Sequence, residues 1–299
     1  MGFTSAMVKM HLEWSGSDAA SLPTSVILKI PNLADSVESW LLDFTIKGHN
    51  DEVLFYNLFA VDGRCPVPLP AIYYASKIDQ LQNDSADRGG LIVMEDMSAH
   101  SKVLDPVQGL SLEQVKSVVS LLARLHAHCF ESDSSEILGH FHMDDMSSFV
   151  PQLFESFDEL VDASGGATTE VGGIIDWQMP RLSSIVFDLC RLLSTSLQHD
   201  LRRAHTPDLL RFYHSELSKH CPENSCPASL DQVVAAYRLF FPTAALITQF
   251  EVVEFSKKAE IVGDEGTERR LRNVEELYAR ARAMAEDIET VATNGDTLR

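Results

Sequence analysis

The hydrophobic period of the chain changes once along its length, and this change limits the possible folds more than any other feature. Up to residue 97, most apolar residues form short alternating or continuous runs that are typical of strands. From Ser111 onward, apolar residues mostly recur at helical spacing. A group of strands followed by a group of helices indicates an α+β fold. We therefore expect a small β-rich N-terminal lobe over residues 1–97 and a mostly helical C-terminal lobe over residues 98–299.

The same pattern predicts the individual elements. Strands are expected at residues 7–14, 25–30, 72–76, 91–94 and 174–177. Helices are expected at residues 50–60, 111–126, 147–160, 187–197, 207–219, 230–255 and 268–292. A hinge between the lobes is expected near residues 95–98. The arginines of the last helix alternate with acidic residues, which indicates a solvent-exposed face.

Composition excludes some classes of function. The chain has 44 acidic and 24 basic residues and a formal net charge of -20, which disfavours nucleic acid as a partner. No apolar run approaches the roughly 18 residues that span a bilayer, and we expect no membrane span. Five scattered cysteines indicate a reducing, cytoplasmic setting. Cys221 and Cys226 are close in sequence, but without a matching pair they make a poor zinc site. The oligomeric state cannot be predicted.

Asp176 lies in the apolar sequence Ile-Ile-Asp-Trp-Gln at residues 174–178, at the exit of an expected strand. An acid in such a place is costly unless a cation meets it. Phosphoryl-transfer enzymes use an aspartate in this position to hold Mg²⁺ against nucleotide phosphates. Asp188 follows at the start of a helix and favours a different role, as a helix cap or a hydrogen-bond anchor.

Lys29 and Glu52 each allow two interpretations. Lys29 lies in the otherwise apolar strand Val-Ile-Leu-Lys-Ile, where it either extends to solvent from an edge strand or reaches the phosphates of a nucleotide. Glu52 is either a solvated acid at the start of a helix or the partner that holds Lys29. His126, near a helix C-terminus, is expected to interact with the helix dipole or to pack.

Several of these segments resemble the CHK-kinase-like family. This family contains the ecdysteroid-kinase-like proteins and lies within the aminoglycoside phosphotransferase and choline kinase-like superfamily. The similar segments are Val-Ile-Leu-Lys-Ile-Pro at 26–31, Glu-Val-Leu-Phe-Tyr at 52–56, Leu-Ile-Val-Met-Glu-Asp-Met at 91–97, Leu-Ala-Arg-Leu-His-Ala at 122–127 and Ile-Ile-Asp-Trp-Gln at 174–178. Together they cover most of the chain.

The resemblance implies a two-lobed, protein-kinase-like fold that binds ATP and Mg²⁺. In that fold Lys29 would bind phosphates, Glu52 would orient Lys29, and Asp176 would ligate Mg²⁺. Glu95 and Met97 would line the adenine at the hinge.

The sequence departs from the family pattern in its catalytic loop. Such families carry a His-Gly-Asp segment followed by Asn, which supplies the catalytic base and a second metal ligand. The nearest string here, His142-Met-Asp144, has Phe149 where Asn is required. We therefore identify no catalytic residue, and we expect a deletion near residues 161–173.

The N-terminus also departs from the pattern. Gly2 to Ser5 resembles only the end of a glycine-rich loop that covers the phosphates, so the preceding strand is missing. Ser5 would still contact the nucleotide.

These observations predict a member of an ATP-dependent small-molecule kinase family that phosphorylates a hydroxyl of an apolar metabolite. The missing loop indicates that this chain is catalytically defective, because general-base catalysis alone is typically worth about a hundred- to ten-thousand-fold. The alternatives are a non-catalytic, pseudokinase-like binding module or a truncated isoform.

Overall fold

The computed structural model describes residues 5–16, 18–33, 39–60, 65–79, 89–99, 101–103, 105–130, 160–162, 171–176, 184–222 and 225–294. The expected helix at 147–160 lies almost wholly outside the described residues. The same holds for His142-Met-Asp144 and for most of the expected deletion near 161–173.

The N-terminal strands form one antiparallel sheet, as the alternating pattern predicts. The strands are β1 (Ser5–His11), β2 (Ser25–Pro31), β3 (Ile72–Ile78) and β4 (Gly89–Glu95), and their order in the sheet is β1-β2-β4-β3. Val26, Ile92 and Met94 are buried on the two inner strands. β2 lies between β1 and β4 and is hydrogen-bonded to both.

The first helix, α1 (Ser39–Phe59), packs against this sheet through β3. Its buried residues Val53, Phe55 and Phe59 join the core. α1 begins eleven residues before the expected start at residue 50. Gly48 lies inside the helix, and its low helix propensity obscures the pattern without ending the element.

Three short strands form a second sheet. They are β5 (Lys102–Val103), β6 (Leu160–Asp162) and β7 (Val171–Ile174), in the order β5-β6-β7. The strand expected at 174–177 was misplaced, because β7 ends at Ile174. The backbone leaves the extended conformation at Asp176, whose φ is 66°.

The rest of the described chain is mainly helical. The helices are α2 (Leu112–Cys129), α3 (Ile185–Ser196), α4 (His199–His220), α5 (Leu230–Lys257), α6 (Ala259–Val262) and α7 (Glu268–Asn294). Ser111 with Gln114 and Ser229 with Gln232 form capping boxes that begin α2 and α5. Two short 3-10 helices occur at Ala19–Ser21 and Met97–Ala99. α2 packs on α4, and α5 packs on both α3 and α7.

The chain divides into two compact units. The first contains residues 1–102, 155–168 and 172–181, and the second contains residues 103–154, 169–171 and 182–299. The four-stranded sheet and α1 belong to the first unit, and α2 to α7 belong to the second. The coarse α+β prediction is therefore confirmed.

Among the described residues, one helix is long and apolar enough to cross a membrane when judged by length and composition alone. This helix is α5, and a single such helix is weak evidence, because core helices of globular proteins pass the same criterion. No firm membrane span is indicated.

The arginines of α7 are not all solvent-exposed, so that expectation is wrong at Arg280. The side chain of Arg280 is 2% exposed and donates to the carbonyl oxygens of Pro106, Val107 and Thr195 at 2.8 to 2.9 Å. Arg280 lies one turn after the buried Leu277, on the core face of α7, which charge alternation does not reveal.

Candidate functional site

Lys29 is a buried cation on an inner strand of the sheet. The residue is 5% exposed, and its Nζ lies 2.8 Å from Glu52 Oε2 and donates a hydrogen bond to Asp176 Oδ1. The alternative of a lysine extending from an edge strand is wrong, because β2 pairs with β1 and β4. Burial lowers the pKa of Lys29, but the charges of Glu52 and Asp176 outweigh it and raise the pKa above its usual value. Lys29 therefore carries its charge inside the protein.

Glu52 is fully buried in the interior of α1, so the alternative of a solvated acid at a helix start is wrong. Burial raises the pKa of Glu52 to about 7, although the charge of Lys29 acts in the opposite direction. Neither carboxylate oxygen has a hydrogen-bond partner of ordinary geometry among the described residues. Its contact with Lys29 is therefore a close ion pair rather than a well-aligned hydrogen bond.

Asp176 lies two residues beyond the end of β7. Its φ of 66° is in the left-handed region, which is uncommon for residues other than glycine and is best tolerated by Asn and Asp. Its side chain is 26% exposed, so of the two described carboxylates that contact Lys29 it is the one that solvent reaches. Residues held in this backbone region often occur at binding sites.

Two further polar residues of α1 face the same place, and sequence analysis missed both. Tyr56 is fully buried one turn after Glu52, and its hydroxyl has no hydrogen-bond partner among the described residues. His49 is buried three residues before Glu52, and its Nε2 lies 2.8 Å from the carbonyl oxygen of Ser76. The spacing of residues 49, 52 and 56 on one helix face was the available signal.

We call Lys29, Glu52, Tyr56 and Asp176 the Lys29 cluster. His49 lies beside this cluster but is not counted in it. Burial and the positive charge of Lys29 lower the pKa of His49, so its imidazole is neutral. Burial and the two carboxylates raise the pKa of Tyr56 well above its usual value, so the phenol keeps its proton. All four residues of the cluster belong to the first compact unit.

The other expected nucleotide ligands occupy separate positions on the sheet. Ser5 is buried at the start of β1, opposite Pro31, and its hydroxyl has no hydrogen-bond partner among the described residues. Glu95 ends β4, where its amide donates to the Ala71 carbonyl oxygen at 2.8 Å. Met97 lies in the 3-10 helix that follows. Their proposed contacts with a nucleotide stay predictions.

Asp96, between Glu95 and Met97, ties three parts of the first unit together. Its carboxylate accepts from Ser25 Oγ at 2.6 Å and from the Ser98 amide at 3.1 Å, and it lies 2.7 Å from Lys9 Nζ. Hydrogen bonds from Lys9 and then Ser25 hold the pKa of Asp96 well below its usual range. This carboxylate therefore fixes the end of β4.

His126 and Asp188 meet in the second compact unit. His126 Nε2 lies 3.0 Å from Asp188 Oδ2, and its Nδ1 lies 2.8 Å from the hydroxyl of Tyr213. The prediction that Asp188 anchors a hydrogen bond agrees with this contact, and the N-cap of α3 is Ser184. His126 is buried between two partners and joins α2, α3 and α4.

The Lys29 cluster offers one buried ammonium group and one partly exposed carboxylate. Among the described residues, no group of three or more His, Cys, Asp or Glu side chains could hold a metal ion. A cation bound at Asp176 would therefore need further ligands from the bound molecule, from water or from elsewhere in the chain.

One family of proteins matches the chain. Its sequence profile covers residues 31–160 and 160–294, and the family, DUF1679, is described as "Uncharacterized oxidoreductase dhs-27". No curated protein matches the chain.

The description of this family corrects the function predicted from the sequence. It names an oxidoreductase, and this contradicts both the ATP-dependent small-molecule kinase and the non-catalytic, pseudokinase-like module. Both predictions relied on residues to which the resemblance assigns ligand binding, and such an assignment does not specify a reaction. Because the two matched stretches together span most of the sequence, the chain belongs to the DUF1679 family.

Proposed function

We propose that the Lys29 cluster binds the phosphate groups of a nucleotide together with a divalent cation. The observation that carries this proposal is the charged Lys29 side chain, only 6% exposed and held between Glu52 and Asp176. A buried charge is expensive and is retained where it has partners or a ligand. Phosphoryl transfer is not part of the proposal.

The two carboxylates have different roles in this proposal. Glu52 is fully buried and has no solvent contact, so it fixes the position of the Lys29 ammonium group. Asp176 is partly exposed and can exchange Lys29 for a cation that arrives with the ligand. Lys29 can then turn its donors toward a phosphate oxygen, for which lysine is a suitable point charge.

A magnesium ion fits the residues present. Mg²⁺ is usually bound by one or two carboxylates, water and the phosphates of the bound nucleotide rather than by a complete protein cage. Asp176 would hold it here, and the ion would neutralise phosphate charge. Lys29, which Glu52 holds in position, would contact the phosphates directly.

Several nucleotides carry the required phosphate groups. ATP with Mg²⁺ follows from the sequence resemblance. The family description names an oxidoreductase, so nicotinamide dinucleotides, which contain a diphosphate, belong among the candidates. The sequence contains no Gly-x-Gly-x-x-Gly fingerprint, so a dinucleotide would need a different mode of phosphate binding.

We also infer that the fold is related to that of the CHK-kinase-like proteins. Three features support this relationship. They are a small antiparallel sheet with a lysine on an inner strand, a glutamate on the first long helix, and a mainly helical second unit. The inference concerns ancestry and layout, and it assigns no reaction.

Calorimetric titration of the full chain tests the proposed function. The ligands are ATP, ADP, NAD(H) and NADP(H), each with Mg²⁺ and with EDTA. We expect one of them to bind, and we expect Lys29→Met to weaken that binding at least about tenfold, because a buried charge-assisted contact is lost. The matched control is Lys116→Met, which removes a lysine 40% exposed on α2 and should leave binding unchanged.

Two results would contradict the proposal. The first is that no nucleotide in the panel binds the wild-type chain. The second is that Lys29→Met binds as tightly as the wild type while remaining folded by circular dichroism.

A further inference from the structure

Two cysteines of the second compact unit lie at the two ends of the connection between α4 and α5. We infer that Cys221 and Cys226 form a redox modification site, at which their thiols are oxidised to an intramolecular disulfide and reduced again. This inference does not depend on the proposed function, because neither cysteine belongs to the Lys29 cluster.

The backbone brings the ends of this connection together. The Ser225 amide donates to the Pro222 carbonyl oxygen at 3.0 Å, and the Ser225 hydroxyl donates to the same oxygen at 2.7 Å. A bond from the amide of residue i+3 to the carbonyl group of residue i is typical of residues whose Cα atoms lie within about 7 Å of each other. Cys221 and Cys226 immediately flank this pair, so the chain reaches and leaves the connection at neighbouring places.

The side chain of Cys226 lies against the last turn of α4. The Ser218 hydroxyl is 3.5 Å from Cys226 Sγ, and Ser218 precedes Cys221 by three residues. The Cys221 amide still donates to the Leu217 carbonyl oxygen at 3.1 Å, so Cys221 continues the helical hydrogen-bond pattern. Side chains three residues apart on a helix are neighbours. The Cys226 sulfur is therefore beside the position from which the Cys221 side chain projects.

The two thiols are also accessible and restrained. Both cysteines are only partly buried, whereas Cys190 has no exposed surface. Each of the two precedes a proline, which favours an extended backbone, and Cys221 has a φ of −82° and a ψ of 149°. A disulfide needs two Cα atoms within about 7 Å and side chains that approach each other. Disulfides that solvent reaches are the ones most readily reduced again.

The oxidant is a small-molecule disulfide such as oxidised glutathione. One protein thiolate attacks a sulfur of oxidised glutathione, breaks its S–S bond and releases one reduced glutathione. The second protein thiolate attacks the protein sulfur of this mixed disulfide and releases the second reduced glutathione. Two electrons pass from the protein to glutathione, and the two thiol protons end on the released glutathiones. Excess reduced glutathione reverses both steps.

The test equilibrates the full chain in mixtures of reduced and oxidised glutathione. Acid quenching, alkylation of the remaining thiols and peptide mass spectrometry give the fraction of each cysteine in a disulfide. The effective concentration of the pair is the ratio of disulfide to dithiol, multiplied by the squared concentration of reduced glutathione and divided by that of oxidised glutathione. We expect a Cys221–Cys226 disulfide with an effective concentration of about 1 mM or more, because the connection is short.

The same equilibrium in concentrated urea shows whether the fold brings the thiols together. We expect an effective concentration at least about tenfold higher in the folded chain, because the unfolded chain does not hold the two ends side by side. By linkage, the disulfide then raises the equilibrium constant for folding by the same factor. Equal effective concentrations in the two conditions would overturn the inference.

The matched variants are Cys226→Ser and Cys129→Ser. Cys129 is also only partly buried, and it ends α2 in the same compact unit. Cys226→Ser should abolish the intramolecular disulfide, whereas Cys129→Ser should leave its effective concentration unchanged. Loss of the disulfide in Cys129→Ser would overturn the inference. A wild-type chain that forms only mixed disulfides with glutathione would overturn it as well.

Discussion

Glu52 is expected to make the stability of the folded protein depend on pH. Burial raises its pKa from 4.5 to about 7 in the folded chain, so the folded state binds this proton more tightly than the unfolded state. The corresponding stabilisation is fully present below pH 4.5 and is lost as the pH rises through about 7. Its size is at most a few kcal/mol, at about 1.4 kcal/mol for each pKa unit.

We therefore expect Glu52→Gln to remove this pH dependence, because glutamine does not titrate. Urea unfolding from pH 4.5 to pH 8 gives the free energy of unfolding of both chains, and the difference between them cancels the other titrating groups. The wild type should lose stability relative to Glu52→Gln between pH 4.5 and about pH 7. Parallel curves would show that the Glu52 carboxyl keeps an ordinary pKa in the folded protein.

Gly109 illustrates a residue fixed by backbone geometry. Its φ is +69°, and a Cβ atom there would lie 2.5 Å from the carbonyl oxygen of Ser196. That oxygen already accepts the Leu110 amide at 2.7 Å, so it cannot move away without breaking a bond. We expect Gly109→Ala to lower the free energy of unfolding by more than about 2 kcal/mol.

Gly266→Ala is the control for Gly109→Ala. Gly266 has a similar φ of +78°, but nothing lies within 4 Å of the place that an alanine methyl group would occupy, so only the backbone cost of about 1 kcal/mol applies. Chemical denaturation of both variants measures the difference. Equal losses would mean that the contact with Ser196 relaxes easily.

The residues of the Lys29 cluster differ in how visible they are in the sequence. Lys29 and Asp176 interrupt apolar runs, and a charge in such a run is a signal by itself. Tyr56 gives no such signal, because tyrosine is an ordinary core residue. The position of Tyr56 follows only from the helix register, which places Tyr56 one turn after Glu52. The predicted helix began at residue 50, so it was too short to place Glu52 in the interior of a helix.

At the scale of elements, a buried ion pair joins α3 to α5. Arg191 binds Glu251, and it also donates to Thr248 Oγ1 at 2.8 Å and to the Ala244 carbonyl oxygen at 3.3 Å. Both charged side chains are 7% exposed. Removing one partner of such a pair leaves the other charge buried and uncompensated.

We expect Arg191→Met and Glu251→Leu each to cost about 3–5 kcal/mol of stability, and the double variant to cost less than either. Equilibrium unfolding in urea measures all three. The control is Arg211→Met, because Arg211 is 60% exposed and its pair with Asp208 should contribute less than about 1 kcal/mol. Additive costs in the double variant would show that the two side chains do not depend on each other.

The elements themselves were predictable where the hydrophobic period is regular. β1 to β4 and α2 follow the alternating and helical patterns, and the structure confirms each of them, although β1 ends at His11 rather than at residue 14. The predicted start of α4 was wrong, because Pro207 lies inside the helix rather than at its beginning. Proline lacks a backbone N–H and its ring clashes with the preceding turn, so it normally indicates the start or end of a helix in a sequence.

At the scale of the whole molecule, the matched family covers both compact units. Glu52, Tyr56 and Asp176 lie inside the matched stretches, and Lys29 lies two residues before them. The sequence predicted ionic residues on both sides of the expected hinge, Lys29 and Glu52 before it and Asp176 after it, and it assigned the wrong reaction.

The division into two units gives a prediction about where a ligand acts. All residues of the Lys29 cluster lie in the first unit, so binding there should stabilise that unit by about 2.7 kcal/mol at a ligand concentration of one hundred times Kd. Hydrogen exchange reports such stabilisation locally, because each region exchanges through its own opening reactions. We expect slower exchange in β2, α1 and residues 172–176 when the nucleotide and Mg²⁺ are present.

The second unit provides the internal comparison. Exchange in α5 and α7 should change little on binding, and Lys29→Met should abolish the protection of the first unit under the same conditions. Protection that appears mainly in α5 and α7 would place the ligand in the second unit and contradict the assignment of Lys29. Protection of both units to the same extent would show that they open as one cooperative body, because a ligand stabilises every region that must open together with its site.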